Sequence, residues 1–419
     1  MSPLRCLAMA TAFCISGSVS AAEPPSEPAV ALCRTLSASV WAADLGDAGF
    51  LASYRPGPDE TELPGPLATT AFVYDNALAV IALLGCGDEA AAGLLGRALL
   101  GSARSDRFYT DGRLRNGYRA VQLQTPPLLP GWWDPSRSAW LEDEYQASTA
   151  TGNVVWSALA LLHLHQADKN VEWREGAEQL VGWVDDNTLD TCPPAGFHGG
   201  FSGFEPNAQT VRWKSTEHNI DVMAASRWLA GLPHADPRWK VMARTATNFV
   251  EAMELSEGGF RIGTTPDCKA GDPDQLMLDV QLWPILARAD APNRWLRALD
   301  LARERLMVGQ GFDFNADRDG IWTEGTAQAA LALSTAGRPR EADAALEEAM
   351  RAREPRSGWL LATDGKTITT GLATGPDGEA DFFYHPRPHL GATAWAILAA
   401  TRTNPFRPKK ARDNVHGAR

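Results

Sequence analysis

The sequence predicts an all-α protein, an (α/α)6 toroid in which six helical hairpins close into a ring. Short β-hairpins are expected in the long connections from outer to inner helices. Three observations predict this. Six nearly all-apolar runs of helical length recur along the chain. Amphipathic segments alternate with them. The connections ahead of the apolar runs repeatedly open on glycine and an aromatic residue.

The apolar runs are YDNALAVIALL from Tyr74, TGNVVWSALALL from Thr151, EHNIDVMAASRWL from Glu217, LDVQLWPILA from Leu278, TEGTAQAALAL from Thr323 and HLGATAWAILAA from His389. Helices apolar on nearly all sides are buried helices, so these six form the inner ring. Laid over one another without gaps, they share a column of Asn76, Asn153, Asn219, Asp279, Gly325 and Gly391. The column before it holds Asp75, Gly152, His218, Leu278, Glu324 and Leu390. Each run starts polar and continues apolar, so the polar starts converge on one end of the ring.

The outer ring comes from segments such as EAAAGLLGRALLGSAR, NVEWREGAEQLVGWVDD, PRWKVMARTATNFVEAMEL, NRWLRALDLARERLM and PREADAALEEAMRAR. Apolar and charged residues alternate there at helical spacing. AVALCRTLSASVWAADL, near the N-terminus, supplies the sixth. The glycine–aromatic openings stand at Gly131, Gly199, Gly258, Gly311 and Gly358. A recurrence every ~50–80 residues points to one repeating architecture rather than two unrelated domains. Long connections in a compact domain are usually functional, so the end where the inner helices begin is the expected working face.

The 419 residues are 44% hydrophobic and 21% charged, enough for a sizeable core. Arg5, the run CLAMATAFCISGSVS and a small-residue site near Ala21 or Ala22 read as a secretory signal. The run is too short to span a membrane, and no later run approaches that length. The expected organisation is a signal peptide over 1–22, one barrel domain over 23–405 and a basic, disordered tail over 406–419. Export places the protein in the periplasm or outside the cell. Four cysteines remain after the leader, which allows disulfides. Of the three pairings, Cys33–Cys86 with Cys192–Cys268 is favoured. A net charge of −12 argues against nucleic acid and anionic membranes as partners.

With YDNALAV, STEHNID, LDVQLW, EGTAQAALAL and HLGATAW at the inner-helix starts, the chain from about Val30 to Arg402 resembles the six-hairpin (α/α)6-barrel group of carbohydrate-active proteins. That group contains glycoside hydrolases and polysaccharide lyases. The resemblance implies a carbohydrate substrate, and a monomer is expected. Protein prenyltransferases and lanthionine cyclases use the same barrel, but the cysteine-containing zinc set they need has no convincing counterpart here.

Glycoside hydrolysis requires two carboxyl groups, one protonated and one ionised. Burial beside aromatic groups makes the acid, and a polar setting keeps its partner charged. Glu217 is the expected acid and Asp279 the expected base or nucleophile, with Asp75 and Glu324 in reserve. Each could instead be a first-turn acid favoured by the helix dipole, with Ser215 or Thr216 as the cap before Glu217. Asp143 and Glu144, in WLEDEY, read as a solvated loop.

The expected sugar-binding set is Tyr74, Asn76, Trp132, Trp133, Asn153, Trp213, His218, Asn219, Asp221, Gln281, Trp322 and His389. The asparagines could equally stitch helices together. The chain has 15 tryptophans, whose flat faces suit sugar rings. Trp156, Trp283 and Trp395 lie inside buried runs and read as core.

Two other functions fit the same architecture. A lyase would draw on His198, His218, His385 or His389 with Tyr74 or Tyr384. A non-catalytic glycan-binding envelope protein would need no acid pair. No cofactor and no metal are expected, with one exception that spacing allows. Counting Asp313 as first ligand makes Glu324 the twelfth of a calcium loop, although Arg318 stands where the turn wants glycine. No P-loop, HExxH, GxSxG or dinucleotide-binding fingerprint is present.

Overall fold

The computed structural model describes residues 27–374 and 380–409. The expected leader and the tail from residue 410 lie outside them. Fourteen α-helices are described. In chain order they are α1 (Glu27–Ala42), α2 (Gly65–Ala68), α3 (Val73–Cys86), α4 (Glu89–Arg104), α5 (Glu144–Ala147), α6 (Thr151–Asp168), α7 (Val171–Thr188), α8 (Thr216–Ala230), α9 (Arg238–Ala252), α10 (Leu278–Ala287), α11 (Arg297–Leu306), α12 (Thr323–Thr335), α13 (Pro339–Arg351) and α14 (Leu390–Ala400).

Six of these form a closed inner ring. Helices α3, α6, α8, α10, α12 and α14 each pack on the next, and α14 packs back on α3. Each carries an outer partner: α4 on α3, α7 on α6, α9 on α8, α11 on α10, α13 on α12 and α1 on α14. The first outer helix therefore closes the ring on the last inner one. The apolar runs are buried because neighbours surround them on all sides. The outer helices bury one face, as in α4, where Leu95, Ala98 and Leu99 are fully inside.

Turns from inner to outer helices are tight. Gly87, in the left-handed region at φ 83°, ends α3, and the Asp88 side chain caps α4 by accepting from Ala91 N. The return connections are long and carry short antiparallel pairs, among them Trp132–Asp134 with Ala139–Leu141 and Ile368–Thr374 with Ala380–Tyr384. Both favoured disulfides are present. Cys33–Cys86 ties α1 to the end of α3, and Cys192–Cys268 joins the connections ahead of α8 and α10.

The ordered fold runs past the expected boundary at 405. Phe406 is 1% exposed and packs among Trp156, Trp283 and Trp395, with ring centroids 5.0, 5.3 and 6.4 Å away. The Pro405 carbonyl meets His163 Nε2 at 3.0 Å, and Lys409 exchanges two backbone hydrogen bonds with the Gln166 amide. An aromatic ring inserted among three tryptophans outweighs the basic composition that marked this stretch as tail.

Candidate active site

The gapless alignment of the six runs shifts when counted from the true helix caps. The N-caps are Phe72, Ala150, Ser215, Met277, Trp322 and His389. Two residues after each cap stand Tyr74, Gly152, Glu217, Asp279, Glu324 and Gly391. These six ring the mouth. One turn deeper stand Leu78, Trp156, Asp221, Trp283, Gln328 and Trp395, which form a floor under it.

Floor and mouth are hydrogen-bonded to each other. The Trp395 indole N–H donates to Tyr74 Oη at 2.8 Å, and Tyr74 Oη donates to Glu324 Oε1 at 2.7 Å. Trp283 Nε1 donates to Gln328 Oε1 at 2.9 Å, and Gln328 Nε2 reaches the same Glu324 oxygen at 3.3 Å. The tryptophans are core, as the sequence indicates, but their N–H edges also orient a carboxylate. Gln328 was absent from the expected set. Its signal was a lone amide inside TAQAALAL.

The position four residues after each cap does something else. Asn76 exchanges hydrogen bonds with the backbone of Leu51 (2.9 and 3.0 Å), Asn219 with Phe197 (2.9 and 3.0 Å) and Gln281 with Phe260 (2.8 and 2.9 Å). Thr326 accepts from Phe312 N, and Thr393 from Leu360 N. Each inner helix except α6 thus stitches itself to its own incoming connection. The glycine–aromatic openings at Gly258, Gly311 and Gly358 lead into the stitched backbone. Asn76, Asn219 and Gln281 spend their amides on the scaffold, so their expected role on sugar hydroxyls is corrected. Asn153, one position earlier, donates to Asn116 Oδ1 at 2.9 Å.

His389, the N-cap of α14, lies between two carboxylates. Its Nε2 is 3.4 Å from Asp75 Oδ2 and its Nδ1 is 3.6 Å from Glu324 Oε2. The ring stacks on Tyr54 at 4.5 Å. Gly391 makes this approach possible, because a Cβ there would stand 2.7 Å from Glu324 and 2.8 Å from Asp75. Burial disfavours the imidazolium, but Asp75 and Glu324 outweigh it and raise the His389 pKa above its ordinary value.

The carboxyl groups are driven apart electrostatically. Burial, followed by the charges of Asp279 and Glu324, pushes Glu217 well above the usual carboxyl range. Burial raises Asp279 only to about 6, because the Val280 N–H donates to Oδ1 at 2.7 Å and favours its ionised form. Burial raises Glu324 to about 7, with His389 opposing. Asp221 is held well up, first by burial and then by Glu217 and Asp279. Burial lowers His218 to about 4, so its ring is neutral near pH 7.

Glu217, Asp279, Glu324, Asp75, Tyr74, His218 and His389 therefore share one mouth, with Asp221 in the floor beneath it. Trp213 joins them from the preceding connection, 41% exposed with its ring 5.6 Å from His218. Trp322 is buried against Phe314 and Tyr384. Trp132 packs beside Gly65 and Trp133 is exposed on its hairpin. Among the described residues no hydrogen bond or ring contact links that pair to the carboxylates. Tyr54 was not foreseen, because an isolated tyrosine in a loop carries no periodic signal. Asp143 caps α5 through Gln146 N. A cavity of about 300 Å³ beside Trp41, Leu94, Arg97 and Trp173 holds none of the mouth residues.

The calcium-loop count is also corrected. Asp313, Asp317 and Asp319 bring carboxylate oxygens within 4.8 Å of one another, but Glu324 is not among them. It belongs to α12 and points to the mouth, since the chain enters the helix directly after Trp322.

No family model and no curated protein matches the chain. Solved structures do. A glycosidase is 13% identical, with a TM-score of 0.60 over 91% of this chain and 98% of that one. An α-amylase from Clostridium perfringens is 10% identical, with a TM-score of 0.59 over 91% and 100%. A cellobiose 2-epimerase from Spirochaeta thermophila is 14% identical, with a TM-score of 0.57 over 88% and 96%. At these identities the likeness is one of fold.

Proposed function

We propose that the protein is an exported glycoside hydrolase acting on a poly- or oligosaccharide. The observation that carries this reading is the placement of Glu217 and Asp279 at the same position, two residues past the N-cap, on adjacent inner helices at the mouth. Glu217, which burial raises well above the usual carboxyl range, donates its proton to the glycosidic oxygen as the C–O bond breaks. Asp279, whose ionised form the Val280 N–H favours, serves as base or nucleophile. Asp75, Glu324 and His389 brace the opposite arc. Trp213 offers a stacking face beside the acid. Glycosidases and an α-amylase among the fold neighbours support a carbohydrate substrate.

A lyase is the weaker reading. It must neutralise a uronate, and His389, the cation-forming side chain at the mouth, is already held between Asp75 and Glu324. Export is supported by the expected leader and by two disulfides, which persist in oxidising compartments.

The test is a glycan panel read for reducing ends and for ultraviolet absorbance, on wild type and Glu217→Gln. New reducing ends that disappear in the variant are expected. An unsaturated, absorbing product, or full activity in the variant, overturns the reading.

A further inference from the structure

The two disulfides stand in different chemical surroundings. Cys33–Cys86 is half-buried and packs against the hydrophobic core. Among the described residues no lysine or arginine hydrogen-bonds to its sulfurs. Cys192–Cys268 joins an exposed cysteine to a half-buried one. Beside it lies Lys214, whose side chain is 0% exposed. Its ammonium group donates to the Cys192 carbonyl at 2.7 Å and meets Asp190 Oδ2 and Cys268 Sγ, each at 3.4 Å.

A buried lysine has three N–H donors to satisfy, and a buried charge short of partners is costly. The carbonyl and the carboxylate take two. The third reaches a disulfide sulfur, which is a weak acceptor. A thiolate at Cys268 would be a far stronger one. Asp190 Oδ2 opposes such a thiolate, but from 4.0 Å, against 3.4 Å for the ammonium group. Thiol–disulfide exchange is fastest when the attacked sulfur is accessible and the other sulfur leaves as a stabilised thiolate. The bridge meets both conditions in one direction. Cys192 is its accessible end, and Cys268 is the end that Lys214 holds.

We propose that Cys192 is a site of S-thiolation by small thiols. The thiolate of the small thiol attacks Cys192 Sγ and forms a mixed disulfide with it. The Cys192–Cys268 bond breaks, its electron pair leaves on Cys268 Sγ, and Lys214 holds the resulting thiolate. Attack by Cys268 on the mixed disulfide expels the small thiol and closes the bridge again. One disulfide is exchanged for another, so no further oxidant or reductant enters. Lys214 directly precedes Ser215, the cap of α8, so the exchange takes place beside the start of the helix that carries Glu217. Cys33–Cys86 is the fixed bridge, and Cys192–Cys268 the exchangeable one.

The test incubates the full oxidised chain with reduced glutathione at mildly alkaline pH. Iodoacetamide traps the free thiol, and peptide mass spectrometry locates each adduct. Glutathione should appear on Cys192 and the carbamidomethyl group on Cys268, with Cys33–Cys86 intact. Lys214→Met should slow the exchange about tenfold, since the leaving thiolate loses its cation. Several results overturn the proposal: no adduct on Cys192, glutathione mainly on Cys268, Cys33–Cys86 reacting as fast, or an unslowed Lys214→Met. Should Lys214→Met unfold and open both bridges together, the placement of glutathione in the wild-type chain decides.

Discussion

Two buried charge clusters in this molecule use the same side-chain types to opposite ends. Behind the mouth, Arg115 is 0% exposed and fully engaged. It grips Asp106 through Nε and Nη2 at 2.6 and 2.8 Å, and Glu205 and the Ala147 carbonyl through Nη1 at 2.9 and 3.1 Å. Arg107 forks onto Glu142 with two 2.7 Å bonds and also meets Glu205. Two guanidinium groups answer three carboxylates, and Asp106 and Glu205 are held below their ordinary pKa values despite burial. The mouth and its floor set five carboxylates against one imidazole paired with them, His389, and there burial and neighbouring carboxylates raise Glu217, Asp221 and Glu324. Paired buried charge fixes the connections of the scaffold. Unpaired buried charge is held for chemistry, because leaving it unpaired costs stability that only function repays.

Substitution on each side should separate the two roles. Glu217→Gln is expected to lower kcat/KM by about 10²–10⁴-fold, the usual worth of a general acid. Its melting temperature should not fall, since glutamine matches the size and neutrality of the protonated acid. Arg115→Met should do the reverse. It strands Asp106 without a cation and leaves Glu205 with Arg107 alone, which costs about 3–5 kcal/mol in denaturant unfolding. Activity per folded molecule should be retained. Turnover lost with stability intact in Arg115→Met would erase the distinction.

The same contrast explains what the sequence could and could not reveal. Burial pattern is periodic, so the twelve long helices and their inner–outer alternation were legible. So was the acid surplus at the starts of α8, α10 and α12, because Glu217, Asp279 and Glu324 fall just after helix starts. The register was not. The stitching set reads Asn76, Asn219, Gln281, Thr326 and Thr393, and chemistry alone does not equate an amide with a hydroxyl. Without the caps, Asp279 and Gly325 slid into that column and sugar-binding amides were inferred where scaffold amides stand. His389 showed a similar limit. Its contacts with Asp75 and Glu324 span 314 residues and 65 residues of sequence, and no local pattern carries such pairs. Phe406 was hidden by the lysines and arginines that follow it.

The stitches give the next effect in size. Asn219 holds both the N–H and C=O of Phe197 with a buried amide. Asn219→Ala leaves two buried backbone groups unpaired, worth about 1–3 kcal/mol. The loss should show as a lower denaturant midpoint with little change in KM. A rise in KM with unchanged stability would return Asn219 to the sugar-binding set.

The smallest effect is one of slope, and its sign differs between the clusters. Glu324 is raised from its ordinary 4.5 to about 7, and Asp279 from 3.8 to about 6. Between the unfolded and folded values the native state binds more protons, so these groups make stability fall as pH rises through that window. His389, also raised, acts in the same direction: its contribution is full below its unfolded pKa and lost as pH climbs through the folded one. Asp106 and Glu205 are lowered, so their contribution is full above their unfolded values and is lost on acidification. Melting temperature against pH should therefore peak on the acid side of neutrality, with the mouth setting the alkaline limb and the arginine cluster the acid limb. Glu324→Gln should flatten the alkaline limb alone, and Arg115→Met the acid limb alone. If either variant flattened both, the two clusters would be one electrostatic unit, and the unpaired charge at the mouth would be part of the scaffold after all.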